Sequence, residues 1–218
     1  MELLGEDDKT QTITAISVQI KDKSRVNVFV DGKYELSLDI VQIGELGVKV
    51  GQAVDDEKLV ELRSASEFGK AYVRAMEYAL VRPRSMREMR DYLGKKTMDR
   101  RLPEGKVRKG ISKEVVELVL ARLTEKNYID DKKFARFWVE NRMQKKGISA
   151  RRLRLELQKK GVDKETVDLV LDNSVRNDAS EMQKMIDKKR AKYDDDKLVA
   201  YLVRQGFNYY DAKEAIKG

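Results

Sequence analysis

Three stretches of this chain share one arrangement, in which a helix-capping residue is followed by two apolar residues four positions apart. In the second stretch Ser149 takes the cap position, Leu153 and Leu157 form the apolar pair, and Gly161 follows them. The matching residues are Ser85, Met89 and Leu93 in the first stretch and Asp194, Leu198, Leu202 and Gly206 in the third. Apolar residues at i and i+4 share one face of a helix. Helical units repeated in this way stack on their neighbours instead of closing into one core.

Each of these helices is followed by another helix with its own cap. In copy two this helix starts at Asp163, and its apolar residues recur at corresponding positions of the other copies. The apolar sets are Val116, Val119 and Leu120 in copy one, Val167, Val170 and Leu171 in copy two, and Ala212, Ala215 and Ile216 in copy three. An earlier helix is predicted over 67–81 in copy one and over 134–146 in copy two. The chain is therefore predicted to be mainly α, with tandem three-helix repeats at 66–130, 131–176 and 177–218.

The spacing between copies one and two locates an insertion. Ser85 and Ser149 are 64 residues apart, whereas Val116 and Val167 are 51 apart, so copy one contains 13 additional residues. These residues are placed at about 97–109 and read TMDRRLPEGKVRK. Because the segment holds a proline, a glycine and several basic residues, it is predicted to be an exposed basic loop.

Residues 1–65 are predicted to form a small β-rich segment with a linking helix. Val26, Val28 and Val30 alternate with other residues, and Asp31-Gly32 follows them directly. Asp-Gly between two alternating runs is a strong hairpin signal, because a type I′ turn needs positive φ at both central positions. A three-stranded meander over 12–40 is expected to pack on a helix that begins after Asp55.

Composition excludes several kinds of chemistry. The 218 residues include no His and no Cys, which excludes thiol nucleophiles, His general bases and the usual zinc ligands. No apolar run approaches the roughly 20 residues of a membrane-spanning helix, and the polar, acidic amino terminus does not resemble a signal peptide. We expect a cytoplasmic protein that is not an enzyme and holds no cofactor or metal.

The acidic and aromatic clusters are interpreted as structural. Asp130-Asp131 and the run 194–196 each lie at a predicted helix start, where carboxylates accept backbone N–H groups and oppose the helix dipole. Trp138 is spaced with Phe134 and Phe137 as one side of a helix, which favours a core position over a base-stacking platform.

Positive charge is concentrated in the middle of the chain. The net formal charge is +8, but residues 70–160 hold 27 Lys and Arg against 12 Asp and Glu, a net +15. Residues 1–69 carry a net −6 and residues 161–218 a net −1. Such a block is typical of a surface that meets a polyanion or an acidic protein groove, although a basic solvated helix surface has the same composition.

The stretch 129–162 resembles the hallmark segment of the RecX family, the regulators of the RecA recombinase. The matching features are Ile129-Asp130-Asp131, Phe134-Ala135, Arg142, Gly147, Leu155-Glu156-Leu157 and Lys159-Lys160-Gly161. The tandem three-helix organisation also agrees with that family over about 66–217, and the β-rich segment resembles the amino-terminal extension of its longer members.

The resemblance implies a monomeric inhibitor that lies in the groove of the RecA–single-stranded DNA filament. There it would lower ATP hydrolysis, strand exchange and co-protease activity, with a role in recombination and the SOS response. The partners would be RecA, single-stranded DNA and, as a second candidate, double-stranded DNA. The residues expected to contact the filament are Arg84, Arg87, Arg90, Arg142, Lys145, Lys146, Arg151, Arg152 and Arg154.

Two other function classes are considered beside this one. A direct DNA-binding protein could use the three-helix units as helix-turn-helix-like readers without RecA, and tight, sequence-selective duplex binding would distinguish it. A Mg²⁺-dependent nuclease would require activity that depends on the acidic clusters.

Overall fold

The computed structural model describes residues 10–103 and 105–217, which form a small β-sheet followed by a series of helices. The chain divides into two compact units. The first comprises the residues up to Tyr78 together with Tyr92–Leu123, and the second comprises Ala79–Asp91 together with the residues from Thr124 onward. The prediction of a mainly helical chain with three-helix repeats after a β-rich segment is confirmed.

The sheet of the first unit consists of β1 Gln11–Val18, β2 Arg25–Val30, β3 Lys33–Asp39 and β4 Ala53–Val54. It is antiparallel, with the strand order β3-β2-β1-β4. Asp31 and Gly32 form the β2–β3 turn with φ angles of 47° and 76°, as the Asp-Gly signal indicates. Three strands were expected; the fourth has only two residues, too few to show an alternating pattern.

A short helix and a long helix pack with this sheet. Helix α1 covers Ile40–Glu45, and α2 covers Asp56–Val81 without interruption. The linking helix and the 67–81 helix are therefore one helix of 26 residues. Buried apolar residues of the strands and of α2 form one core, which includes Ile13, Val28, Leu38, Leu59 and Leu62.

The inserted segment of copy one forms a hairpin within an otherwise exposed stretch. Strand β5 (Arg100–Arg101) pairs antiparallel with β6 (Val107–Arg108). The backbone N–H of Leu102 donates to the Lys106 carbonyl oxygen at 2.8 Å, which closes the turn. The expected exposure is present, but the segment has regular pairing that its loop-like composition did not indicate.

Three of the remaining helices begin at the caps predicted as Ser149, Asp163 and Asp194. The side chains of Ser149, Asp163 and Asp194 each accept the backbone N–H three residues further on. The helices are α3 Met86–Gly94, α4 Lys113–Glu125, α5 Asp131–Asn141, α6 Ala150–Lys159, α7 Lys164–Asp172, α8 Asp178–Lys189, α9 Asp195–Arg204 and α10 Tyr209–Lys217.

Helix α5 is shorter than the predicted 134–146. It ends at Asn141, because Arg142 takes an extended conformation and Met143 has a φ of +53°. Gly147 lies beyond this turn with a φ of +82°.

The second unit has two apolar cores. One lies within copy two, among α5, α6 and α7, and the other lies within copy three, among α8, α9 and α10. The main residues of the first are Phe134, Val139, Leu153, Leu157 and Val167; those of the second are Met182, Ile186, Leu198, Leu202 and Phe207.

The amino end of α3 is joined to the carboxyl end of α6. The Ser85 hydroxyl donates to the Lys160 carbonyl oxygen at 2.7 Å, and the Met86 backbone N–H donates to Asp131 Oδ1 at 2.8 Å. Asp131 thus bonds the start of another helix, while its neighbour Asp130 caps α5 itself. Burial raises the pKa of Asp131 above its usual value, although the Met86 N–H opposes this.

The amino end of α6 is joined to the carboxyl end of α9 in the same way. The Ser149 hydroxyl donates to the Gln205 carbonyl oxygen at 2.7 Å, and the Ala150 backbone N–H donates to Asp178 Oδ1 at 2.7 Å. Gly206 follows with a φ of +96°, and a methyl group there would lie 2.7 Å from Ser149 Oγ. We call these two arrangements the serine joints.

Candidate basic interface

All nine basic residues singled out from the sequence lie in the second compact unit. Three belong to the start of α3 or the turn before it, three to the connection between α5 and α6, and three to α6. They differ in exposure and in the carboxylates that the fold brings close to them.

Helix α6 presents one buried face and one exposed face. Leu153 and Leu157 point into the copy-two core, whereas Arg151 and Arg152 are exposed and Leu155 is 52% exposed. Because the apolar face is packed, the orientation of the opposite face is fixed by the fold. No ion pair joins Arg151 to any residue in the described part of the chain.

Three arginines near α6 are engaged with carboxylates. Arg154 Nε lies 2.9 Å from Asp168 Oδ1, and Arg152 Nε lies 3.9 Å from Glu156 Oε1. Arg142 binds Glu156 through two hydrogen bonds, of 2.7 and 3.1 Å, and its guanidinium lies 5.3 Å from the centre of the Trp138 ring. The hydrogen bond with Glu156 raises the pKa of Arg142 above its already high value.

Glu156 connects Arg142 to the core. Trp138 Nε1 donates to Glu156 Oε2 at 3.0 Å, which satisfies the polar end of a ring otherwise packed against the copy-two core. Burial opposes ionisation of Glu156, but the hydrogen bonds from Arg142 and Trp138 outweigh it and hold the pKa of that carboxyl below its usual value. The predicted core position of Trp138 agrees with this arrangement, and its polar contact to α6 could not be read from spacing.

The basic residues around α3 differ in exposure. Arg87 and Arg90 are exposed, whereas the Arg84 side chain is only 10% exposed and lies 3.9 Å from Glu88. The stem of Arg87 lies against Gly161, where a methyl group would come within 2.8 Å of Arg87 Cβ. Arg87 therefore stands at the carboxyl end of α6, about 15 Å along the helix from Arg151.

Glu88 forms contacts with Arg82 and Lys160 that the sequence did not indicate. It accepts from Arg82 at 2.9 Å and from Lys160 at 2.7 Å, and Lys160 Nζ also lies 5.3 Å from the centre of the Trp138 ring. Burial opposes ionisation, but these hydrogen bonds keep the pKa of Glu88 below its usual value. Sequence spacing does not indicate the contact between Lys160 and Glu88, because 72 residues separate the two.

Lys145 and Lys146 are exposed in the turn after α5. The Lys146 backbone N–H donates to the Met143 carbonyl oxygen at 2.9 Å, and Lys188 Nζ donates to the Lys145 carbonyl oxygen. The backbone of this turn is thus held while both lysine side chains remain exposed. The exposed cations lie along α6 and beyond both of its ends, which suits an extended anionic partner better than a small molecule.

Among the residues described, no group of three or more acidic side chains is arranged to hold a metal ion. In the same part of the chain, no helix combines the length and apolarity needed to cross a membrane. The fold and the exposed cations together define a tandem three-helix-repeat protein with a basic surface on copy two.

Comparison with known proteins identifies this class more narrowly. Residues 130–171 match the family description "RecX, second three-helix domain", and residues 11–55 match "Regulatory protein RecX N-terminal domain". The chain belongs to the RecX family.

Individual relatives agree with this assignment. Regulatory protein RecX of Bacillus licheniformis is 27% identical over 205 residues, covering 90% of this chain and 73% of that protein. Regulatory protein RecX of Bacillus subtilis is 32% identical over 155 residues, covering 71% of this chain and 54% of that protein. The crystal structure of a regulatory protein RecX covers 95% of this chain and 98% of its own, with a TM-score of 0.71 at 22% identity, and so shares the fold.

Proposed function

We propose that this protein inhibits the RecA recombinase by binding in the groove of the RecA–single-stranded DNA filament. Its relatives are named regulatory protein RecX. Bound in the groove, it would bridge neighbouring RecA subunits and lower ATP hydrolysis, strand exchange and co-protease activity.

The observation that carries the proposal is the exposed basic face of α6 and its ends. Arg87, Arg151 and the lysines of the α5–α6 turn are exposed, and the elements beneath them are fixed by buried apolar residues and by the serine joints. Because the backbone beneath these cations is already fixed, little backbone freedom is lost on binding, and the cations complement both acidic side chains and phosphates of a nucleoprotein groove.

The proposal is tested by the ATPase activity of RecA on single-stranded DNA. We expect inhibition at ratios well below one protein per RecA, because one bound molecule that bridges neighbouring subunits would affect more than one of them. A folded sample that leaves the ATPase rate unchanged at equimolar protein would contradict the proposal. Tight sequence-selective duplex binding without RecA would instead favour a direct DNA-binding protein.

A double charge reversal locates the contact surface. Arg87→Glu with Arg151→Glu changes the local charge by four units at two exposed residues that lack ion pairs among the described residues. We expect the concentration for half-maximal inhibition to rise at least about tenfold, because juxtaposed like charges cost several kcal/mol at interfaces. Arg154 is left unchanged because the loss of its ion pair with Asp168 could change the stability of the protein as well as its binding.

The matched control is Lys164→Glu with Lys217→Glu, which makes the same charge change at exposed positions of the second unit outside the nine. It is expected to inhibit like wild type. If both double variants lose inhibition equally while melting normally, overall charge and not this surface determines binding.

A further inference from the structure

The first compact unit contains a second basic surface, which none of the nine residues reaches. It is a cleft of about 330 Å³ between α2, the end of α3 and the β5–β6 hairpin. Seven of its fourteen lining residues are Lys or Arg, and one, Glu67, is acidic. We call it the insertion cleft, because the 13 additional residues of copy one provide one of its walls.

The hairpin is held in place around the cleft by backbone contacts. Arg100 and Arg108 are directly opposite each other in the two strands, so both side chains leave the hairpin at the same position along it. The Ile111 backbone N–H donates to the Lys96 carbonyl oxygen at 3.0 Å, which closes the base of the insertion. A side chain at Gly110 would overlap the Thr97 carbonyl oxygen at 2.0 Å, so the close approach there requires glycine.

Like charges crowd the cleft, and Glu67 is the one acidic lining residue that offsets them. Among the described residues, no carboxylate lies within ion-pair distance of Lys70, Arg74, Arg100 or Arg108. Partial burial lowers the pKa of the Lys70 ammonium, and the nearby charges of Arg25, Arg108 and Arg74 lower it further. Desolvated cations that repel one another are relieved by an anion, which is typical of a phosphate-binding surface.

One wall of the cleft is a fixed aromatic ring. Tyr92 stacks on Tyr78 with ring centres 4.3 Å apart, and Lys96 Nζ lies 5.1 Å from the centre of the Tyr92 ring. Met98 stands at the edge of the cleft and is exposed. Apolar and aromatic surface between cations is the combination with which proteins hold single-stranded nucleic acids.

We propose that the insertion cleft binds consecutive phosphate groups of a single-stranded nucleic acid. The cations come from α2, from the connection between α3 and β5, and from both hairpin strands. A single phosphate would be matched by groups that converge on one point, whereas this spread matches a backbone with one charge per nucleotide. The choice of DNA as the strand rests on the proposed function.

The test is binding of a labelled oligothymidylate without RecA, measured from about 50 to 200 mM salt. Lys70→Met with Arg108→Gln removes two cleft charges. Each lost phosphate contact should reduce the salt slope by about 0.7, so the pair should weaken binding about 25-fold near 0.1 M salt. Lys70→Met alone should leave the melting temperature unchanged or raise it, because a repelled, desolvated ammonium is removed.

Lys21→Gln with Lys23→Gln is the control, since it removes two exposed charges of the same unit outside the cleft. The proposal requires this variant to bind like wild type. Undetectable binding by the wild type, equal losses in both double variants, or an unchanged salt slope in the cleft variant would overturn it.

Two further arms identify the ligand. Inorganic phosphate and thymidine monophosphate are tested as competitors of the oligomer. If either competes as well per mole as the oligomer, the cleft is a single-phosphate site and the proposal that it binds a strand is overturned. RecA ATPase inhibition is measured with the same variants. If the protein inhibits RecA but does not bind bare DNA, this inference is overturned and the proposed function stands. If it binds bare DNA through the cleft but does not inhibit RecA, only the proposed function is overturned.

Discussion

Glu181 shows how far a single residue can depart from what its sequence position indicates. It lies one residue before the apolar face of α8, where a solvated carboxylate is ordinary, yet it is only 2% exposed. It accepts hydrogen bonds from Arg176, Lys184 and the Ile148 backbone N–H at 2.6 to 3.1 Å. Ile148 is 33 residues away, so periodicity within one helix could not identify this contact.

Replacement of Glu181 by Gln should strongly destabilise the protein. It removes the charge that Arg176 and Lys184 face, and removal of one partner of a buried pair typically costs about 3–5 kcal/mol. Chemical denaturation measures this cost. Glu165→Gln, at an exposed position of α7, should change the free energy of unfolding by no more than about 0.5 kcal/mol.

The effect of Glu181 should depend on pH in a defined direction. Burial opposes its ionisation, but Arg176 and Lys184 outweigh burial and hold the pKa below its usual 4.5. The stabilisation is therefore fully present above about pH 4.5 and is lost as the pH falls through the lower folded-state value. The gap in unfolding free energy between wild type and Glu181→Gln should narrow on acidification; a gap independent of pH would contradict an ionic role.

At the scale of elements, the caps could be predicted but the serine joints could not. Ser149 follows the pattern of an N-cap, and its hydroxyl accepts the Arg152 backbone N–H at 3.2 Å as that pattern indicates. The same hydroxyl also donates to the carbonyl oxygen of Gln205, which is 56 residues away. Sequence spacing detects local hydrogen bonds and repeats of apolar residues, whereas contacts between helix ends depend on packing.

Alanine at a serine joint should cost more than alanine at an ordinary cap. Ser85 and Ser149 are both fully buried, and each loss removes a cap and leaves a helix-terminal carbonyl without its donor. We expect about 2–3 kcal/mol for Ser85→Ala and for Ser149→Ala.

The exposed Ser112, which accepts the Val115 backbone N–H at 3.2 Å, provides the comparison. Ser112→Ala should cost only about 1 kcal/mol. Equal costs for all three variants in urea denaturation would mean that the second hydrogen bond of the joints contributes nothing to stability.

At the scale of the whole molecule, the sequence predicted where positive charge is concentrated but not how it is divided. The basic block 70–160 contributes to both compact units: α6 and its ends in one, the insertion cleft in the other. Charge totals could not distinguish engaged side chains such as Arg142 and Arg154 from exposed ones such as Arg151, because the distinction rests on carboxylates brought close by folding.

Affinity for RecA-coated single-stranded DNA should fall steeply with salt. A protein that neutralises several phosphates loses orders of magnitude in affinity between about 50 and 200 mM salt, because bound counterions are released on binding. Fluorescence anisotropy with preassembled filaments measures this dependence. A flat response would show that apolar docking, through exposed residues such as Leu155, provides the affinity.

The serine joints have a mechanical consequence. Helix α6 is hydrogen-bonded to other helices at both ends. The Ser85 hydroxyl binds its carboxyl end, and the hydroxyl of its own cap, Ser149, binds the carboxyl end of α9. Tension along the second unit would therefore pass through α6 and through the polar contacts at its two ends. These are the Ser85 hydroxyl, Met86–Asp131 and Lys160–Glu88 at one end, and the Ser149 hydroxyl, Ala150–Asp178 and Ile148–Glu181 at the other. Hydrogen bonds and ion pairs are lost over a short displacement, whereas the apolar cores yield only when many side chains separate. Under load the unit would therefore part first between neighbouring copies and leave the apolar cores of copies two and three intact.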